Sequence, residues 1–184
     1  MDEGAAAYRR FLDGDDSGFV EIVRVYKDGL IFFLNGFVKN LSVAEELAED
    51  TFVKIGVGKP KFSAKSSFKT WLYCVGHNIA VDHIRKQSKT KAVSIEELEQ
   101  ISGADLPENE YLTAERDKII HSAMQKLKTE YRQVLWLVYF EGFSDKETAV
   151  VMNKSVHGIE TLIYRARQAL KTELTKEGID SENL

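Results

Sequence analysis

One cysteine, two prolines and no long apolar run mark the 184-residue sequence by their scarcity. A lone Cys74 excludes an internal disulfide framework and agrees with a reducing compartment. No stretch approaches the roughly 18 consecutive apolar residues of a membrane-spanning helix. The amino terminus, where Asp2 and Glu3 precede only a few alanines, lacks the form of a signal peptide, so a cytoplasmic protein is expected. Pro60 and Pro107 each predict a break in regular structure. There is no Gly-rich phosphate loop, nucleophile elbow or zinc-protease signature, and therefore no catalytic residue, cofactor or enzymatic activity is expected. Cys74, His77, Asp82 and His83 are close in sequence, but the Cys74–His77 step and the position of His83 do not converge on one helical face, which argues against a metal site.

What is present is a composition that folds: 43% hydrophobic and 29% charged residues suit one domain or two small ones. The net charge of -4 conceals segregation along the chain. Between Lys59 and Lys91 stand eight Lys or Arg against the single acid Asp82, which makes a basic stripe. From Ser94 to Asp117 eight acids face Arg116 alone, a composition that fits a solvated linker.

Apolar spacing predicts an all-α chain. Phe19, Ile22, Val23, Tyr26, Leu30, Phe33 and Phe37 recur at three- and four-residue steps on a helix opening near Ser17, which Gly29 and Gly36 weaken slightly. A second helix is expected from Ser42, capped by Ser42 and Glu45, burying Leu47, Thr51, Phe52 and Ile55 and ending around Gly56, Gly58 and Pro60. A polar loop over 61–67 follows. The next helix carries Phe68, Trp71, Leu72, Val75 and Ile79 and runs to about Gln87, completing an antiparallel helical bundle. Beyond the acidic segment, periodicity resumes near Leu112 and gives four helices: one to about Leu127, one capped by Thr129 and stopping at Gly142, a short one opened by the capping box of Ser144 and Glu147, and a last one capped by Ser155. Asn153 suits a left-handed turn between the last two. Val156, Ile159, Ile163, Ala166 and Leu170 form the buried stripe of the last helix, leaving His157, Glu160, Thr161, Tyr164 and Arg165 outward.

A short helix, a tight turn and a longer helix match the helix-turn-helix plan, although helical hairpins of this kind also occur with no nucleic-acid role. Lys154, Arg165, Arg167 and Lys171 could neutralise phosphates, whereas Glu160 would repel them. The basic stripe with Phe62, Phe68, Trp71 and Tyr73 has the ingredients of a single-strand platform, yet Phe68 and Trp71 lie at core spacing. Asn78, Asp82 and Arg85 share one helix face and could read base edges or simply form an exposed polar surface with an Asp82–Arg85 ion pair. Glu45, Glu46, Glu49 and Asp50 make an acidic face, solvated or open to a basic partner.

In their order along the chain, these segments resemble the extracytoplasmic-function (ECF) sigma factors of the sigma-70 family. Ala44-Glu45-Glu46-Leu47 and Glu49-Asp50-Thr51-Phe52 are similar to the family's core-polymerase-binding helix. Phe62, Ser67-Phe68-Lys69-Thr70-Trp71-Leu72-Tyr73, Asn78, Asp82 and Arg85 resemble its −10 element region. Leu127, Tyr131-Arg132, Val134-Leu135, Phe140-Glu141-Gly142-Phe143-Ser144, Glu147, Ala149 and Arg165-Ala166-Arg167 resemble its −35 reader. The sequence departs from the family at Glu160 and Leu162, where basic residues are usual, at His157-Gly158, where a Gly-Thr pair is usual, at Lys128, often Pro, and at Glu49, often Gln.

The resemblance implies a region 2 domain over 1–91, an acidic linker over 92–111 and a region 4 domain over 112–184. It implies core-polymerase contacts at Glu45, Glu46, Leu47, Asp50 and Phe52. Contacts to the −10 element would fall at Lys61, Phe62, Ser63, Lys65, Ser67, Asn78, Asp82 and Arg85, with a flipped base of the non-template strand captured by the 61–67 loop and Asn78. Contacts to the −35 element would fall at Lys154, Ser155, His157, Gly158, Thr161, Tyr164 and Arg165. The implied partners are core RNA polymerase through its β′ clamp and β flap, promoter DNA both duplex and single-stranded, and an anti-sigma protein, in a cytoplasmic, nucleoid-associated setting. Two other classes fit the residues alone. A stand-alone helix-turn-helix regulator would need a dimer surface or effector pocket, and a protein-interaction module would make no use of Asn78 or Arg165.

Overall fold

The structure, a computed structural model, describes residues 2–91 and 115–176, with the side chains of 89–91 and 115–118 left out. Among the described residues every element is helical, in the order α1 Glu3–Leu12, α2 Ser17–Val38, α3 Leu41–Gly58, α4 Phe68–Lys91, α5 Glu115–Gln125, α6 Thr129–Leu135, a π-helical turn Trp136–Phe140, α7 Asp145–Val151 and α8 Val156–Lys176. The acidic segment over 92–111 and the expected helix start at Leu112 lie outside the described residues. None of the described helices is long and apolar enough to cross a membrane.

Helix α2 is the axis of the first half, buried through Ile22, Leu30, Phe33 and Leu34, with α1, α3 and α4 packed around it. Helix α1 is an addition to the sequence expectation. Asp2 caps it by accepting from the Ala5 N–H at 3.0 Å, and its Ala5, Ala7, Tyr8 and Phe11 face the core. Ala5, Tyr8 and Phe11 recur at three-residue steps, so this helix carries an apolar period of its own. The Asp2 carboxylate also accepts from the Phe68 N–H at 2.6 Å, so one side chain caps two helices, α1 and α4.

Two caps differ from expectation. Helix α3 is capped by Asn40, which accepts from the Val43 N–H at 3.1 Å, and not by a Ser42–Glu45 box. Asn40 is extended (φ -144°, ψ 113°), as an N-cap must be, and Ser42 already lies inside the helix. At α6 the N-cap is Lys128, without a side-chain bond. Thr129 is instead the first helical residue, and its hydroxyl accepts from Arg132 Nη2 at 3.0 Å. The Ser144 cap forms as expected: Glu147 N–H donates to Ser144 Oγ at 3.3 Å and Ser144 N–H donates to Glu147 Oε2 at 3.0 Å. Asn153 is left-handed (φ 51°), also as expected.

The helix expected to run unbroken to Gly142 loosens after Leu135 into the π-helical turn, where the Glu141 N–H reaches back five residues to Trp136 O at 3.1 Å. Its wider turn lays the Phe140 ring flat on Trp136, with centroids 4.5 Å apart and planes 6° from parallel. Gly142, at φ 69°, then reverses the chain in a conformation that L side chains seldom adopt.

Buried side chains of the two halves form one continuous hydrophobic core. Along the seam α7 packs on α4, and α6 and the π-helical turn pack on α2. Phe143 meets Tyr73 edge-on at 5.2 Å, and Phe32 meets Trp136 at 5.1 Å.

Candidate polymerase and nucleic-acid interfaces

Three surfaces carry the residues singled out by the sequence. The first is α3. Glu45, Glu46, Glu49 and Asp50 project from it into solvent, whereas Leu47 and Phe52, expected beside them as contacts, face inward and belong to the core. The helical period points Leu47 away from that face, whereas Phe52, three residues after Glu49 and seven after Glu45, borders it. The exposed apolar companions of the acids are Val53 and Val57. Beside them, Phe11, Phe19, Val23 and Phe52 line a shallow apolar groove between α1, α2 and α3. Helix α1 supplies Phe11 to that groove, from the apolar face it shares with Ala7 and Tyr8.

The second surface is the 59–67 loop with α4. Phe68 is fully buried and Trp71 half-buried, so both are core residues rather than stacking platforms. Phe62 is half-buried as well, its ring 5.7 Å from Phe68 and 5.5 Å from Trp71. Lys61, Ser63 and Lys65 are exposed. The loop is tied down at its start, where Tyr8 Oη donates to Pro60 O at 2.8 Å, and at its end by the Asp2–Phe68 bond. Helix α1 thus braces the segment that the family resemblance assigns to DNA, a role no motif announces. Asn78, Asp82 and Arg85 are exposed along α4, with Asp82 and Arg85 paired at 3.2 Å. Asn78 stands ten residues beyond Phe68, about 15 Å along the axis at ~1.5 Å per residue, so the loop and Asn78 line one ridge rather than one small pocket.

The third surface is the helix-turn-helix of α7 and α8. Glu130, Lys154, Ser155, Gly158, Thr161 and Arg165 gather around a shallow polar groove. Ser155 Oγ accepts from the Gly158 N–H at 3.0 Å, capping α8 as expected, and Thr161 Oγ1 donates to His157 O at 3.0 Å. Lys154 is paired with Glu130 at 2.8 Å. His157 is 90% exposed and 3.5 Å from Glu160, and Tyr164 and Arg165 are exposed. The two unusual residues of α8 separate: Glu160 is outward, whereas Leu162 is buried and packs the helix onto its domain. Val156, placed in the buried stripe by spacing, is partly exposed because it stands at the free end of the helix, and Leu162 and Leu174 complete the stripe instead.

Among the described residues no three His, Cys, Asp or Glu side chains are grouped to hold a metal. His77 packs edge-on against Phe37 at 5.4 Å, and His83 Nε2 lies 2.8 Å from Gln87. His121 is buried at the seam, 5.7 Å from the Phe32 ring, and its Nδ1 has no hydrogen-bond partner among the described residues. Burial pulls both the His121 and His77 imidazoles below the ordinary value of 6.5. Arg132 lines the same small void as His121. A histidine whose folded-state pKa is depressed gives stability that is complete above its unfolded value and is lost as pH falls below it. Stability should therefore decline below pH ~6.5, by at most about 1.4 kcal/mol per pH unit for each group. Denaturant midpoints measured between pH 7.5 and 5.5 check this, and His121→Phe should flatten the decline; an unchanged slope in the variant would assign it to other groups.

Comparison with known proteins agrees with the arrangement. Residues 22–90 match the family model described as Sigma-70 region 2, and residues 117–170 match Sigma-70, region 4. The chain is 30% identical over 158 residues to the RNA polymerase sigma factor YlaC of Bacillus subtilis (strain 168), covering 85% of this chain and 91% of that one. It is 29% identical over 170 residues to the ECF RNA polymerase sigma factor SigW of the same organism, covering 88% and 91%. Among solved structures, the sigma factor RpoE of Bartonella quintana, crystallised with the anti-sigma factor NepR, shares the fold at a TM-score of 0.71 with 21% identity over 85% of this chain and 96% of that one. An acidic helix face, a braced basic loop and a helix-turn-helix, in this order on an all-helical scaffold, define the class: the chain belongs to the sigma-70 family of RNA polymerase sigma factors. Within that family it is an ECF sigma factor, and the stand-alone regulator gives way to this reading.

Proposed function

We propose that this chain joins core RNA polymerase through the acidic face of α3, opens promoter DNA with the 59–67 loop and α4, and holds the −35 duplex with α8. Region 2 would occupy 1–91, a linker 92–111 and region 4 112–184. The observation that carries the reading is the distribution of charge over three separate surfaces. Exposed acids on α3 suit a basic protein partner, and exposed cations in the loop and on α8 suit phosphates. Lys61, Phe62, Ser63, Lys65 and Ser67 would receive the non-template strand, with Asn78, Asp82 and Arg85 further along it. Unstacking a base costs a few kcal/mol, which a fitted pocket and backbone cations can offset. The polymerase supplies the chemistry, and the chain performs no catalysis itself. The β′ clamp would meet Glu45, Glu46 and Asp50, with Leu47 and Phe52 supporting that face from within, and the β flap would meet region 4. The setting is the cytoplasm, at the nucleoid. An anti-sigma protein is the expected regulator, in line with the NepR complex of the Bartonella relative.

Three substitutions test these surfaces. Glu46→Lys or Asp50→Lys should weaken retention on purified core polymerase by about tenfold, equivalent to ~1.4 kcal/mol for one broken charge pair; undiminished retention removes the acidic face from the interface. Arg165→Ala should weaken −35 duplex binding by about 1–3 kcal/mol and relax the preference at one position. Equal loss on every sequence makes Arg165 a phosphate contact.

A further inference from the structure

We propose that Glu160 reads a base in the −35 duplex, its carboxylate accepting a hydrogen bond from the N4 amine of a cytosine at one position of that element. The proposal rests on the sigma-factor reading above and names a specificity-determining residue on the surface which that reading gives to α8.

Charge is segregated along α8. No Lys or Arg occurs from Ser155 to Tyr164, whereas Arg165, Arg167 and Lys171 follow, all exposed. The first of these cations stands nine residues beyond Val156, about 13 Å along the axis at ~1.5 Å per residue. Glu160 lies in the cation-free amino end. His157, Glu160, Thr161 and Tyr164 recur at three- and four-residue steps and so share one face. That face is turned outward: the Glu160 side chain is 55% exposed, between His157 at 90% and Tyr164 at 66%. Ile159, Leu162 and Ala166 are buried on the opposite side and fix the rotation of the helix on its domain. In a helix-turn-helix the amino-terminal residues of the second helix meet base edges in the major groove. The cations behind them are then placed for the phosphate walls.

A carboxylate at such a position has few possible partners. Ionised, it can only accept hydrogen bonds, and phosphates repel it. The donors on major-groove edges are the N4 amine of cytosine and the N6 amine of adenine. Adenine sets its N7 acceptor beside that amine, where it would face the second carboxylate oxygen, whereas cytosine carries no acceptor there. Cytosine is therefore the base that fits. The Glu160 charge is also uncommitted within the protein. Among the described residues no Lys or Arg pairs with it, and its one ion-pair neighbour is His157 Nδ1 at 3.5 Å. By contrast, Glu130 and Glu173 are paired with Lys154 and Lys176 at 2.8 and 2.7 Å. Thr161, the next polar residue, already donates its hydroxyl proton to His157 O at 3.0 Å.

The experiment must follow sequence preference rather than affinity, because removing an acid from a DNA-facing surface strengthens binding to any duplex. Holoenzyme reconstituted from core polymerase and the full chain selects active promoters from a library randomised across the −35 region. The wild-type chain should return a C·G pair at one fixed position, preferred about tenfold over other pairs, the discrimination that one good base contact gives. Glu160→Gln should move that position, and no other, to A·T, since a carboxamide matches adenine N6 and N7. Glu160→Ala should leave the position without preference. Variants that keep the wild-type base at every position, whatever their overall transcription, overturn the proposal. So does a wild-type element with no fixed C·G pair, or a change spread over the whole element. In each of these outcomes an upstream element is still selected and the sigma-factor reading stands. A wild-type chain that selects no upstream element removes both.

Discussion

Phe68→Ala should lower the unfolding free energy by about 3–5 kcal/mol, the largest loss expected from one side chain in this protein. Phe68 is fully buried, and its ring lies 5.4 Å from Tyr8, 5.8 Å from Tyr26, 5.7 Å from Phe62 and 5.4 Å from Trp71. These partners come from α1, α2, the 59–67 loop and α4, so the cavity would open where four segments meet and could collapse little. The loop would lose the floor on which Phe62 rests. Denaturant titration of the full chain measures the effect, and a loss under about 1 kcal/mol would show that the aromatic cluster is not the anchor of the first half.

Arg132→Met should cost about 3 kcal/mol for a different reason. Its guanidinium donates to Gly36 O, to Leu127 O and to Thr129 Oγ1, all at buried or partly buried positions. Methionine fills much of the volume but leaves the carbonyl acceptors unpaired, at about 1–3 kcal/mol for each buried group. Arg132→Lys should recover little, because a single ammonium cannot reproduce a planar fork that serves three acceptors. Lysine at wild-type stability, measured by the same titration, would mean that charge alone matters at this site.

Much of this molecule is legible without its structure. The bodies of α2, α3, α4 and α8 follow from three- and four-residue apolar steps, and the Ser144–Glu147 and Ser155 caps from side chains that supply the acceptors a helix start needs. The Asp82–Arg85 pair needs only helical spacing. What stays hidden is tertiary. Helix α1 is only ten residues long and is held in place by the Asp2 carboxylate, which also caps α4. Asn40 outcompetes Ser42 because the chain turns earlier, which side-chain type alone does not fix. Gly29 and Gly36 read locally as weak points of α2, and their use as meeting points for Arg132 and Glu141 depends on residues about a hundred positions away. Leu47 and Phe52 are buried on α3 beside its exposed acids.

Reconstituted run-off transcription, with purified core polymerase and a promoter library, addresses the central claim directly. The account predicts transcripts that appear only when this chain is added and that share an upstream and a downstream sequence element at fixed spacing. A chain that associates with core polymerase yet yields no such transcripts, or that never associates, would contradict it.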